Sequence, residues 1–319
     1  MIDVEPLPRK EQVMKKIRQF KSPGEITALL RQGEYIANED IATAIYIAGL
    51  LSKPLLVEGQ PGVGKTELAK SFSRALGLEL IRLQCYEGID DTKAVYEWEY
   101  SKQLLYAQML KGKIDEILGD AADLASAMGR LKSFNSTFFS EEFIIKRPLL
   151  RAISSPEPVV LLIDEVDKSE PSFEALLLEV LSDYQISIPE IGTIRAASIP
   201  FVVLTSNNAR DLSDELRRRC IYLYMNMPDS ARQMEIVGAK LGNRVSADFL
   251  KMVSGMLSLI NAQDLKRPPS LSEIIDWSVS IASAGIDKDH VSVSSLGSLL
   301  KDDSDQQKAF AALWKSQSR

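Results

Sequence analysis

Gly59-Gln60-Pro61-Gly62-Val63-Gly64-Lys65-Thr66 fits the pattern G-x-x-x-x-G-K-[ST]. Its glycines let the backbone curl so that several N–H groups point at phosphate oxygens. A helix after the loop adds the positive end of its dipole. In that arrangement Lys65 reaches the β/γ-phosphates and Thr66 ligates Mg2+. The flanks agree with this reading. Pro54-Leu-Leu-Val57 is a short apolar run bounded by Pro and Gly, and predicts a buried strand. Thr66–Leu76 sets Leu68, Ala69, Phe72 and Leu76 near period 3.6 and predicts a helix, which Gly77 stops. A glycine-rich turn without ligand is the plain alternative. The strand before and the helix after weigh against it.

A second signature lies downstream. Val159-Val-Leu-Leu-Ile163 is an unbroken apolar run, expected of a parallel strand buried on both faces, and it ends in Asp164-Glu165. Ligands of open α/β sheets sit outside the carboxyl ends of the strands. Asp164 is thereby placed to hold Mg2+ through water, and Glu165 to polarise a water against the γ-phosphate. Such an acid favours hydrolysis over phosphoryl transfer to a metabolite. Phe201-Val-Val-Leu204 reads as another buried strand and ends in Thr205-Ser-Asn207-Asn208, where Asn207 can orient the attacking water. An Asn-rich turn is the ordinary alternative there. Glu215-Leu-Arg217-Arg218-Arg219-Cys220 follows. A charge run is normally a solvated helix face. An arginine offered across a subunit boundary, Arg219 or Arg218 beside it, would instead stabilise transition-state charge.

Strands alternating with helices predict a parallel α/β sheet. Asn38 caps a helix expected over Glu39–Leu51, and Leu78–Leu83 reads as a strand. Tyr96-Glu-Trp-Glu-Tyr100 alternates like a half-exposed strand or hairpin. Ile114, Ile117, Leu118, Ala121, Leu124, Met128 and Leu131 recur at helical spacing. Pro171–Leu181 is read as a helix, Gln185–Ile194 as a hairpin broken at Pro189 and Gly192. Composition shifts near Pro228-Asp229, beyond which helices are expected at roughly 230–240, 247–262, 270–284 and 307–316. Residues 1–34 read as an N-terminal arm, 35–228 as the α/β core with an excursion around 90–145, and 229–319 as a helical lid.

Composition narrows the classes further. The chain has 319 residues, 45% hydrophobic and 26% charged, which excludes a disordered chain and favours two domains. The net charge of −6 argues against a DNA-coating protein. One histidine, His290, excludes multi-imidazole metal sites, and two distant cysteines, Cys85 and Cys220, suit a reducing compartment. Cys85 reads as a buried small residue. The start Met-Ile-Asp-Val-Glu resembles no signal peptide, and Ile41–Leu51, the longest apolar run, is too short for a bilayer. A cytoplasmic protein without membrane contact is expected. Trp277 and Trp314 fall on amphipathic helices and read as lid core. Tyr222, Tyr224, Met225 and Met227 alternate as a strand packed on the core.

In this order and spacing, these stations resemble a AAA+ ATPase over roughly residues 35–285: an α/β P-loop NTPase core with a C-terminal all-α lid. Ile81-Arg-Leu-Gln-Cys-Tyr-Glu-Gly88, Phe143-Ile-Ile-Lys-Arg-Pro-Leu-Leu-Arg151 and Leu212-Ser-Asp-Glu-Leu-Arg-Arg-Arg-Cys-Ile-Tyr222 resemble the MoxR branch and its CoxD-like subgroup. The resemblance implies a homo-oligomeric ring, usually hexameric, with ATP and Mg2+ at each interface. It carries Lys65 and Thr66 over as Walker A, Asp164 and Glu165 as Walker B, Asn207 as sensor 1 and Arg219 as the trans arginine. It implies an insert near the pore, where Trp98 would meet a substrate protein or simply pack in a hairpin. It further implies a chaperone-like action on a client protein, with a metalloenzyme needing maturation as one candidate, and a von Willebrand factor A domain partner. Arg267, the lid arginine by resemblance, is offset by the capping box Ser270-Leu-Ser-Glu273. Arg147-Pro148 stands where many relatives have Gly-Pro. A DNA-acting motor or loader, and an ATP-gated scaffold without turnover, are the alternative functions.

Overall fold

The structure, a computed structural model, describes residues 12–119, 139–189, 191–286 and 292–317. Helices α1 (Gln12–Arg18), α2 (Pro23–Gln32) and α3 (Glu39–Leu51) precede β1 (Leu55–Gly59), the loop and α4 (Lys65–Leu76). Then come β2 (Glu79–Gln84), α5 (Asp91–Ala94), β3 (Tyr96–Trp98), α6 (Tyr100–Gly119), β4 (Ile144–Lys146) and α7 (Pro148–Ile153). The core continues with β5 (Val159–Asp164), α8 (Pro171–Asp183), β6 (Gln185–Ile188), β7 (Gly192–Arg195), β8 (Phe201–Ser206), α9 (Asp214–Arg219) and β9 (Ile221–Met225). Helices α10 (Ser230–Leu241), α11 (Ala247–Asn261), α12 (Leu271–Ala284) and α13 (Asp303–Gln317) complete it.

Five strands form one sheet in the order β2-β5-β8-β1-β9, every neighbouring pair parallel. β1, β5 and β8 are buried along their whole length, as their unbroken apolar runs require. Each sheet face carries its own apolar core. Leu68, Phe72, Ile45 and Leu30 pack on one, Leu149, Leu177, Phe173 and Leu216 on the other. A third core holds the C-terminal helices, with Trp277 at its centre. The expected α/β parallel sheet with a helical C-terminal region is therefore the observed fold.

Local signals explain most boundaries. Asn38 accepts from the Ile41 N–H and starts α3, and Gly77 ends α4 in the left-handed region. Ser270 and Glu273 complete the capping box that opens α12. Four readings need revision. Within residues 1–34, the expected arm, Val13, Met14, Ile17, Ile26 and Leu30 are buried against α3 and the sheet. The last helix begins at Asp303, earlier than the expected 307, because the Asp302 carboxylate accepts from the N–H groups of Ser304 and Asp305. Trp314 is 59% exposed and stacks on Phe310 instead of entering the core. The strand at Tyr96 stops at Trp98, and Tyr100 already begins α6.

Trp98 packs edge-on against Tyr96 and Phe139, beside the antiparallel pairing of β3 with β4. Arg147 is extended before Pro148, as a pre-proline residue prefers, and its side chain pairs with Glu97. Ala121, Leu124, Met128, Leu131 and His290 lie outside the described residues.

Candidate functional site

The loop between β1 and α4 is built on positive-φ glycines. Gly62 has φ +78 and Gly64 φ +100, a region that side chains with a Cβ resist. At Gly62 a Cβ would also stand 2.6 Å from Ser270, at the start of α12. The lid helix thus rests on the loop: the Ser272 N–H and hydroxyl both donate to the Gly62 carbonyl at 3.2 Å. Gly59, Gln60, Pro61 and Val63 complete the curl. The Lys65 ammonium donates to the carbonyls of Gly59 at 2.7 Å and Gln60 at 2.8 Å. Burial lowers the Lys65 pKa, and the acids Asp167, Asp164 and Glu165 oppose that shift.

Asp164 ends β5 and is almost fully buried. Such a carboxylate must be paired or hydrogen-bonded. Its Oδ1 accepts from Thr66 Oγ1 at 3.0 Å and from Thr205 Oγ1 at 2.5 Å. Its Oδ2 accepts from Arg82 Nε at 3.0 Å and Nη2 at 2.5 Å. Thr66 and Asp164 offer hard oxygen donors side by side. Among the described residues no cluster of three or more His, Cys, Asp or Glu residues could cage a metal. That donor set fits Mg2+, which is usually held by one or two protein oxygens together with phosphates and water.

Glu165 follows in the left-handed region at φ 58, a conformation that costs a non-glycine residue roughly 1–2 kcal/mol. Observed strain of this kind clusters at functional sites. The Glu165 N–H donates to Thr205 Oγ1 at 2.9 Å. Its carboxylate accepts from Gln84 Nε2 at 2.7 Å, Lys168 Nζ at 2.7 Å and Asn207 Nδ2 at 3.4 Å. The hydrogen bond to Glu165, then its charge, raises the Lys168 pKa. Asn207 is fixed from behind: the N–H groups of Asn207 and Ala209 donate to Asp167 Oδ2 at 3.1 and 2.9 Å.

The predicted residues of the loop, β5 and β8 therefore meet in one network. The arginines do not join it. Arg219 donates to the Leu178 carbonyl at 3.2 Å and to Glu215 at 3.0 Å, while Arg218 is exposed. Arg267 is exposed too, its backbone N–H held by Asp305 at 3.0 Å, and its side chain lines no cavity beside the loop. Instead, Ser270 and Ser272 reach the loop from the lid, because the capping box sets the first turn of α12 there. Reading the sequence residue by residue missed Arg82, Gln84, Thr205, Asp167 and Lys168. Arg82 and Gln84 are two apart on a strand and so share a face, a signal available in the alternation Ile81-Arg-Leu-Gln84. Thr205, next to last in β8, stands at the level of Asp164.

A cavity of about 570 Å³ adjoins the loop, lined by Tyr35, Gly62, Gly64, Met227, Arg232 and Ile275 among others. That volume is ordinary for a small-molecule site. Its lining spans the α2–α3 connection, the loop, the start of the helical region and α12. Arg232 is held on the Ile36 carbonyl at 2.8 Å, which ties α10 to the α2–α3 connection.

Residues 54–220 match the family described as AAA domain (dynein-related subfamily). Protein NorQ of Paracoccus denitrificans is 22% identical over 287 residues, 88% of this chain and 92% of NorQ. The replication factor C large subunit of Archaeoglobus fulgidus is 25% identical over 211 residues, 64% of this chain but only 33% of that subunit. Among the described residues no helix is long and apolar enough to cross a membrane.

Proposed function

Given that the chain belongs to the AAA domain family, dynein-related subfamily, we propose that it hydrolyses Mg·ATP and uses the cycle to remodel a client protein. The observation that carries this reading is the strand-end network: Thr66 on Asp164, and beside it Glu165 bonded to Asn207. Lys65 turns from the carbonyls of Gly59 and Gln60 to the β/γ-phosphates. Mg2+, when bound, neutralises charge on those phosphates, and Thr66 and Asp164 are the residues that would hold it. Glu165 orients a water and accepts its proton, Asn207 steadies the same carboxylate, and the backbone N–H groups of the loop receive the developing charge. An arginine of a neighbouring subunit, Arg219 or Arg218, completes the charge balance.

The division of labour follows from this. The nucleotide core runs to about residue 228, takes in α1 and α2 and carries the insert at 90–145, and 229–319 form the lid that reports the nucleotide state through α12. We place the chain in the MoxR branch, CoxD-like subgroup, on the three strings quoted above and the match to NorQ along most of both chains. That placement brings a cytoplasmic, hexameric, chaperone-like ATPase, a metalloenzyme as client and a von Willebrand factor A domain partner. The match to the replication factor C large subunit favours a second reading, a DNA-acting loader, against which stands the net charge of −6.

The test is phosphate release by the assembled protein, followed by capture of what co-purifies with Glu165→Gln in ATP. Turnover at wild-type Glu165 with none in Glu165→Gln is expected. Absence of turnover in the assembled state would leave a nucleotide-gated scaffold. Salt-sensitive stimulation by DNA would replace the client reading with the loader.

A further inference from the structure

Glu58 is the last side chain before the phosphate loop, and the chemistry above leaves it unused. It is a 2% exposed carboxylate on a strand that is otherwise apolar. Alternation along β1 turns Glu58 to the same face as Leu56, the side packed by α7, α8 and α9. A carboxylate buried there must be paired and hydrogen-bonded. Both of its partners come from the segment carrying the arginines. Arg217 Nη2 donates to Oε1 at 2.7 Å, and the Tyr222 hydroxyl donates to Oε2 at 3.0 Å. The Arg217 guanidinium also lies 5.8 Å from the centre of the Tyr222 ring. Burial first, and the bond to Glu58 second, raise the Tyr222 pKa, in keeping with a hydroxyl that donates to a carboxyl oxygen.

Three consecutive arginines thus have three destinations. Arg217 goes to the strand that enters its own phosphate loop, Arg218 to solvent, Arg219 to the Leu178 carbonyl within its own α8. Arg218 and Arg219 sit between two anchors, Arg217 and Tyr222, that converge on one carboxylate.

We infer that Glu58, Arg217 and Tyr222 form a positioning clamp that fixes the Arg218–Arg219 segment relative to the phosphate loop. Each subunit's nucleotide loop and the arginine it shows to its neighbour then move as one body. The inference rests on the trans role proposed for these arginines. Glu58, Arg217 and Tyr222 act through Arg218 and Arg219 and are positioning residues.

Subunit mixing tests it. Arg217→Gln alone should bind a fluorescent ATP analogue with unchanged affinity and lose on the order of 10²-fold in kcat, the cost of misplacing a catalytic group by about 1 Å. Glu165→Gln subunits contribute little turnover of their own but carry intact arginines. An excess of them should restore most of the turnover at Arg217→Gln sites, because the neighbour now supplies a well-placed arginine. Mixing Arg217→Gln with R218A/R219A subunits should restore nothing, since neither supplies one. R218A/R219A mixed with Glu165→Gln is the control for the trans reading. If the control fails to recover, the trans reading falls and the clamp with it. If the control recovers and Arg217→Gln does not, the clamp alone is overturned. Tyr222→Phe removes one hydrogen bond and leaves the ion pair, so it stands in should Arg217→Gln fail to fold. It should lose about threefold in kcat and recover in the same mixture, on the scale of a single hydrogen bond. Wild-type turnover in Tyr222→Phe would overturn the clamp.

Discussion

The ends of β1, β5 and β8 and the short helix α9 are built on opposite terms. At the strand ends, Lys65, Thr66, Asp164, Glu165 and Asn207 are joined through buried backbone and shared hydrogen bonds. On α9, six residues long, Arg218 is exposed and Arg219 rests on Glu215 and a carbonyl. On the proposed reading the strand ends gather groups for one ligand inside their own chain, so burial can fix them. The arginines are left with few bonds of their own, as groups offered to another chain would be. Of the three, Arg217 alone is paired with a buried carboxylate of the sheet.

The sharpest way to break the comparison is at the strand ends. Lys65→Ala should abolish nucleotide binding, measured by titration with a fluorescent ATP analogue. Arg219→Ala should bind that analogue normally yet turn over roughly 10³-fold or more slowly. Adding Lys65→Ala subunits should restore some turnover, because those carry an intact Arg219. Arg218→Ala run beside it decides which arginine acts. Glu165→Gln should hold ATP and the assembly while phosphate release falls by roughly 10²–10⁴-fold.

Smaller effects sharpen the contrast between rigid and lightly held parts. Ser270→Ala removes one half of the capping box at the lid–loop contact. It should cost about 1 kcal/mol by denaturant unfolding. Glu174 ties α8 to the loop before α9, accepting from Arg210 at 2.5 Å and the Ser213 N–H at 2.9 Å. Burial alone would raise its pKa, but the bonds from Ser213 and Arg210 outweigh it and leave it below the ordinary 4.5. A carboxylate lowered by folding contributes stability that is complete above its unfolded pKa and decays as pH falls through its folded one. Glu174→Gln should therefore melt below wild type at pH 7, and the gap in Tm should close as pH falls past 4.5.

What the sequence made legible follows the same division. The runs Val159–Ile163 and Phe201–Leu204 announce buried strands because a sheet covered on both faces favours unbroken apolar runs, with polar residues only where partners hold them. Gly59–Thr66 announces its loop because few residue types tolerate that curl. Asp164, Glu165 and Asn207 could be found because each sits at the end of such a strand. Arg82 and Thr205, which hold Asp164, were passed over: the alternation of β2 shows which face Arg82 shares but not what lies there, and a threonine near a strand end is common. Trp314 was misread because amphipathic spacing does not say whether a helix face is covered. Helices α1 and α2 were missed because three prolines and many charges mask their short apolar faces.

The missing side chain at Gly62 has one more consequence. The first turn of α12 lies so close that even a methyl group would stand 2.6 Å from Ser270, and the Gly62 carbonyl takes both donors of Ser272. Loop and lid therefore share a hinge with no slack. On the proposed reading, a nucleotide that reshapes the curl would tilt a fourteen-residue rod, whose far end swings through a larger arc than the displacement that drove it. Gly62→Ala would prise the two apart and, strained at φ +78, would disturb the curl and the lever together.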